Sequence, residues 1–340
     1  MYNRICTFLL VIFMVTLMVP AHVLAAENKP IRAALAYSSI AVLDDKSFVT
    51  AVDKGAEKAA KEFGVKLETC VQKENETDRD FIASVAQKDV DVVIAVSFVN
   101  VEPLLEAAEE YKNVKFIIID GVVPPLFNNA KSVIFREHEG SFLVGMIAAL
   151  KSQTGTIGFV GGRDIPLIRN FASGYRQGAK HVNPKIQIIE NMIGTTVQAW
   201  DQPVKAEEIA LKQISDGADV IFAAAGASGA GVLKAAADKD KFGIGVDSNQ
   251  NALYPGHVLT SMVKKVDVAV YQALKDLSEG NWDPGIRNLG LKEDAIDYAV
   301  DVNNKDLLDP ALINMVETAR NQIKRGVLEV KIYSPEPKRH

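Results

Sequence analysis

Apolar, β-branched runs alternate with amphipathic stretches along almost the whole chain, and this rhythm restricts the fold more than any single motif does. "RAALAY" (32–37), "VKLETCV" (65–71), "VDVVIAVS" (90–97), "VKFIIID" (114–120) and "SVIFRE" (132–137) read as strands. A helical segment, "GSFLVGMIAALKS", follows. The series then restarts with "TIGFVGG" (156–162), "IQIIENMIG" (186–194), "DVIFAAAG" (219–226) and "FGIGVDS" (242–248). Strands this uniformly apolar are buried on both faces, as in parallel sheets covered by helices. Two such series in 340 residues predict an α/β chain of two lobes, over 27–150 and 151–263, with 331–340 as a tail.

Composition removes several classes of function. A hydrophobic content of 48% and a charged content of 24% suit a globular core. The net charge of −5, with no long basic run, lacks the electrostatic footprint of a nucleic-acid binder. Five His and two Cys leave little material for a metal site. The first 26 residues read as an export signal: "MYNR" is a positive start, "FLLVIFMVTLMV" (8–19) an apolar core, and "AHVLAAE" offers cleavage after Ala25 or Ala26. That core is too short for a comfortable membrane span, although a retained N-terminal anchor is the alternative. Cys6 precedes the apolar core, so no lipid-attachment cysteine is seen, and Cys70 alone makes no internal disulfide. The expectation is a soluble, periplasmic or otherwise extracytoplasmic monomer.

Ligands of open parallel sheets bind outside the carboxyl ends of the strands. Those ends are Ser38 and Ser39, Ser97 and Phe98, and Asp120 in the first series. In the second they are Gly162 and Arg163, Gly226 and Ser228, and Asp247. Two lobes with facing strand ends make a cleft, the architecture of a solute-binding protein. One segment beside the first strand end is unusual. "LDDKSFVTAVDKG" (43–55) starts a helix that Asp44 or Asp45 could cap, with Val49, Val52, Ala56, Ala60 and Phe63 as its buried stripe. Phe48 points roughly 70° off that stripe.

The motifs "DDKSF", "IIDGVV", "FREHEGSFLVG", "IGFVGGRDIPLIRNFASGYRQGAKHVNP", "AAGASGAGV", "GVDSNQ" and "LTSMVKKVDVAVY" follow in order across residues 44–271. Together they resemble the basic membrane protein family of ABC-transporter substrate-binding proteins, whose best-understood branch binds purine nucleosides. The resemblance implies a type I periplasmic-binding-protein fold. In it about 264–295 return to the first lobe and about 296–330 to the second, and the protein delivers a small-molecule ligand to an inner-membrane permease. It further implies that Phe48 stacks on one face of a base, with Trp200, from the other lobe, on the opposite face. Asp247 would accept hydrogen bonds from a ribose diol and Lys264 would reach the sugar, with Lys265 the alternative by one residue. Asp45 and Phe98 join this candidate set, and Gly226 and Gly229 let backbone approach the ligand. Blander roles stay open: a ring folded over the core edge for Phe48, an anchor against its own lobe for Trp200, a helix cap for Asp247.

Three departures bear on the ligand. Ser39 stands where the family often has a base-reading Asp, Val49 where Asn is common, and Arg163 where Met is common. A hydroxyl at Ser39 predicts loose base selectivity. Arg163 could meet a polar ligand group or pair with Asp164. A purine nucleoside leads, with riboflavin or another heteroaromatic compound behind it, and presentation of the ligand to a periplasmic receptor is the alternative to uptake. No enzyme, metal or cofactor is expected. "HEG" at His138 is not a metal motif, His181 and His257 lie by loops, and neighbouring acids in a capping turn are not an opposed catalytic pair.

Overall fold

The computed structural model describes residues 29–39, 45–96 and 100–335. The first lobe opens with β1 (Arg32–Tyr37), α1 (Phe48–Phe63), β2 (Lys66–Val71), α2 (Asp78–Ala86), β3 (Val92–Val96), α3 (Val101–Glu110), β4 (Lys115–Ile119) and β5 (Ala130–Phe135). The chain then crosses into α4 (Glu137–Lys151), β6 (Thr156–Arg163), α5 (Pro166–Val182), β7 (Gln187–Gly194), α6 (Pro203–Ser215), β8 (Val220–Ala224), α7 (Gly229–Asp238), β9 (Phe242–Asp247) and β10 (Val258–Lys264). It returns as α8 (Val266–Ser278) and β11 (Gly285–Leu289), and crosses again into β12 (Ile296–Tyr298) and α9 (Pro310–Lys324).

The strands form two six-stranded sheets, ordered β11-β5-β4-β3-β1-β2 and β12-β10-β9-β8-β6-β7. All pairings are parallel except β10 with β12. The all-apolar runs become central strands: β3 and β8 are buried at every position. This is the two-lobed α/β fold that the alternation predicts.

Helix α4 lies mainly against α5 and touches β10 and β12, so the second layer system begins at the 136–137 crossing. The reason is three glycines: Gly145, Gly174 and Gly178 each sit where a Cβ would strike the facing helix backbone, which brings α4 and α5 into close approach. The three crossings are tied together at one place. Arg136 N–H donates to Leu289 O at 2.8 Å, Lys265 N–H to Ala295 O at 2.8 Å, and Leu291 N–H to the Glu139 carboxylate at 2.8 Å.

Helix α1 buries Val49, Val52 and Ala56 of its predicted stripe, while Ala60 and Phe63 are only partly buried. Ala51, Gly55 and Ala59 are buried as well, because α8 covers a second face and Gly55 admits the α8 backbone at Asp267. Phe48 stays half-buried and faces the cleft.

Candidate functional site

One cavity, with about 900 Å³ of empty space that includes its open mouth, lies between the carboxyl ends of the two sheets. Its walls bring together Asp45 and Phe48 from the first lobe with Trp200, Gly226, Asp247 and Lys264 from the second. Each is placed by local chemistry. The Asp45 carboxylate accepts from the N–H groups of Ser47, Val49 and Thr50 at 2.8–3.1 Å, and from the Thr50 hydroxyl at 3.0 Å. It thereby satisfies the orphan donors of α1 and fixes the first turn that carries Phe48. Trp200 ends a 3₁₀ turn (Val197–Trp200) and its indole lies where a Cβ on Gly162 would be. Gly226, with φ of 57°, makes the turn beside it.

Asp120 also lines the cavity, although the sequence marks it only as a strand end. Asp120 and Asp247 follow β4 and terminate β9, and both adopt left-handed backbone, φ 60° and 61°. Aspartate tolerates this conformation better than most residues, and such strain gathers at functional sites. Lys264 Nζ stands between them, 2.5 Å from Asp120 Oδ2 and 3.6 Å from Asp247 Oδ1. Burial pulls the Lys264 pKa down, but the two carboxylates outweigh burial and hold it above its ordinary value. Burial pushes the Asp247 carboxyl up, opposed by Lys264. Three rings surround the ammonium, with Nζ 4.6 Å from the centroid of Phe48, 5.4 Å from Phe135 and 5.7 Å from Phe171. Phe171, with Leu167 and Ile168 of α5, supplies an apolar wall that sequence reasoning missed; its position on an ordinary amphipathic helix gave no signal.

The lobes touch directly at the cavity rim. The buried Ser47 hydroxyl donates to Val246 O at 3.2 Å and to Asp247 Oδ2 at 3.3 Å, and Ser248 Oγ returns a bond to Ser47 O at 2.8 Å. With the Asp120–Lys264 pair, these bonds make the arrangement a closed one.

Other expected residues fall elsewhere. Ser39 is exposed, its N–H donating to Gln72 Oε1 at 3.0 Å, and Ser38 takes the place in the cavity wall. Arg163 is outside the wall; its Nε donates to Thr195 O at 3.0 Å, while Asp164 is taken by Arg169 at 2.7 Å. Asp247 does not cap the turn that follows, because Asn249 Oδ1 accepts the Asn251 N–H at 3.0 Å. Lys265 faces Asp297 at 3.6 Å. Phe98, the export signal and Cys6 lie outside the described residues. Among the described residues, no helix is long and apolar enough to cross a membrane.

Comparison with known proteins agrees with this architecture. Residues 33–333 match the Bmp family, described as ABC transporter substrate-binding protein PnrA-like. Basic membrane protein D of Borreliella burgdorferi is 33% identical over 271 residues, 77% of each chain. An uncharacterized lipoprotein of Pyrococcus abyssi is 32% identical over 282 residues, 80% of this chain and 70% of that one. Its name lends no support to the expected lack of a lipid-attachment cysteine. The crystal structure of an ABC transporter solute-binding protein from Aeropyrum pernix superposes with a TM-score of 0.81 at 25% identity, covering 90% of this chain and 95% of that one. The chain belongs to the Bmp family of PnrA-like ABC-transporter substrate-binding proteins.

Proposed function

We propose that this substrate-binding protein holds a heteroaromatic ligand, a purine nucleoside first, between Phe48 and Trp200, with the sugar held by Asp247, Lys264 and Asp120. The family supplies the coarser part: a small-molecule ligand, a membrane permease as partner, and work outside the cytoplasm. The observation that carries the finer part is the cavity itself. Aromatic rings from opposite lobes wall one space, and its polar atoms gather around Lys264. Asp247 and Asp120 both line the cavity, and the Oδ1 of each is buried and accepts no hydrogen bond from the protein, so each carboxylate keeps unused acceptor capacity beside the ligand space.

Base selectivity in this reading is loose. Asp45 already accepts from four donors, and the remaining polar group near the end of β1 is the Ser38 hydroxyl, which donates or accepts. Calorimetry with inosine, guanosine, adenosine, their free bases, riboflavin, pentoses and amino acids tests the proposal. Phe48→Ala and Trp200→Ala should each weaken nucleoside and free base alike, by roughly 1–3 kcal/mol. Tight binding of a sugar or amino acid, with no heteroaromatic compound bound, would refute it.

A further inference from the structure

Behind the cavity lies a charged group that the ligand reading does not use. Glu137 begins α4 at the first crossing between lobes and is 2% exposed. Its Oε1 accepts from Asn170 Nδ2 at 2.8 Å, and its Oε2 is buried with no hydrogen-bond partner. Asn170 is fixed in turn, since its carbonyl oxygen accepts the Tyr333 N–H at 2.8 Å.

The charges facing Glu137 are Lys264, from β10, and Asp120, from the end of β4, with Asp247 behind Lys264. Neighbouring charges are engaged elsewhere. Just before α4, Arg136 turns to Glu139 and Glu293; on the helix, Glu139 accepts from Leu291 N–H, and burial holds His138 neutral, its pKa lowered to about 4. On α5, Arg169 is tied to Asp164 and Arg176 to Glu190. Asp297 of β12 pairs with Arg320 of α9, where Glu317 also meets Arg320 and Lys324 reaches Asp294. The buried cluster therefore sets three carboxyl groups, Glu137, Asp120 and Asp247, against one ammonium.

One ammonium balances one negative charge, so the two carboxylates that touch it already leave an excess. A third negative charge in the same dry volume is uncompensated, and a group so placed takes a proton instead. Burial pushes the Glu137 pKa up to about 7, with Lys264 pulling it down and Asp120 pushing it up.

We propose that Glu137 is protonated while the lobes are closed and releases that proton when they part, so that ligand capture is coupled to proton uptake. The proton comes from solvent and sits on the otherwise unpartnered carboxyl oxygen. Opening carries Asp120 away from Lys264 with the first lobe and admits water, which returns Glu137 toward the ordinary carboxylate range. Because the closed form holds the proton more tightly, capture strengthens as pH falls from about 8 to about 5.5, by at most about tenfold per pH unit for one proton.

Two measurements test this, and they separate it from the nucleoside reading on which the ligand arm rests. Titration calorimetry with inosine, guanosine or adenosine at pH 7, in phosphate and in Tris, should reveal net proton uptake in the wild type and none in Glu137→Gln. Equal enthalpies in the two buffers, or uptake that survives Glu137→Gln, would overturn the coupling. The second arm needs no nucleoside, only whichever compound of the calorimetric panel, pentoses and amino acids included, binds and closes the lobes. A raised folded pKa on an acid means stability is lost as pH rises from the unfolded value toward the folded one, here from 4.5 to about 7 in the closed protein. The urea midpoint of the ligand-saturated wild type should therefore drop relative to ligand-saturated Glu137→Gln between pH 5 and about 7.5; parallel profiles would overturn the proposal. Should no nucleoside bind, the nucleoside reading falls and this second arm still decides the protonation. If Glu137→Gln fails to fold, carbon-13 NMR titration of the glutamate carboxyls in the ligand-saturated wild type replaces it, with one titrating near 7 expected and none overturning it.

Discussion

Asp120 and Asp247 hold equivalent places in the two lobes, yet they do different work. Each belongs to the third strand from the outer edge of its sheet, β4 in one and β9 in the other, and each has left-handed backbone. Their partners differ. Asp120 reaches across the cleft and makes the tight contact with Lys264, whereas Asp247 stays beside the lysine of its own lobe and receives the Ser47 hydroxyl from across. The same backbone device, used twice, thus gives one carboxylate that clamps the lobes through a cation and one that takes the opposite lobe's hydroxyl. The asymmetry arises at the neighbouring strand: β10 ends in Lys264, while its counterpart β5 ends in Phe135. A single cation between two acids decides which acid bridges.

Removing that cation should have the largest effect. Lys264→Met leaves the buried carboxylates uncompensated, and we expect a loss of roughly 3–5 kcal/mol in urea denaturation near neutral pH. The loss should shrink toward pH 5, because Asp247 and Glu137, both raised above their ordinary values, then take up protons. A small, pH-independent loss would mean that the cluster is not held together by charge.

A sharper comparison sets Asp247→Ala against Asp120→Ala. The first should weaken a nucleoside by roughly 1.5–3 kcal/mol and spare its free base, since hydrogen bonds to a charged acceptor are lost. The second should weaken the free base as well as the nucleoside, because it also unties the bridge between lobes. Identical ratios of nucleoside to base affinity for the two variants would erase the distinction.

Ser39→Asp should do least. Ser39 is exposed and outside the cavity wall, so relative affinities for inosine, guanosine and adenosine should stay within about 0.5 kcal/mol of the wild type. A marked shift in preference would return Ser39 to the site.

That last residue illustrates how far the chain could be read. β1 is legible residue for residue, because an apolar run between turn signals can satisfy its backbone in little else. Side chains on a strand alternate between faces, however, so the choice between Ser38 and Ser39 turns on a single residue, and only the folded register decides it. The aromatic in "DKSF" stood out as well, because Phe48 lies off the buried stripe of its helix, and it does line the cavity; a partner from the other lobe was implied only by the family resemblance.

The sequence by itself determined the two sheets, the central strands and the strand ends from which Asp120, Asp247 and Gly226 emerge. These follow from local periodicity, which needs no knowledge of distant neighbours. It did not mark β10, buried at six of its seven positions, because Thr260 and Ser261 interrupt its apolar run. Nor did it mark β11, whose residues are partly or fully exposed, or the three-residue β12, because short strands at the sheet margins carry little apolar pattern. Tertiary structure alone packed α4 against α5, brought Phe171 to the cavity, and placed Asp120 and Glu137 around Lys264. Asp120 and Lys264 stand 144 positions apart in the chain. Their meeting depends on how two lobes close, and no local pattern of residues encodes that distance.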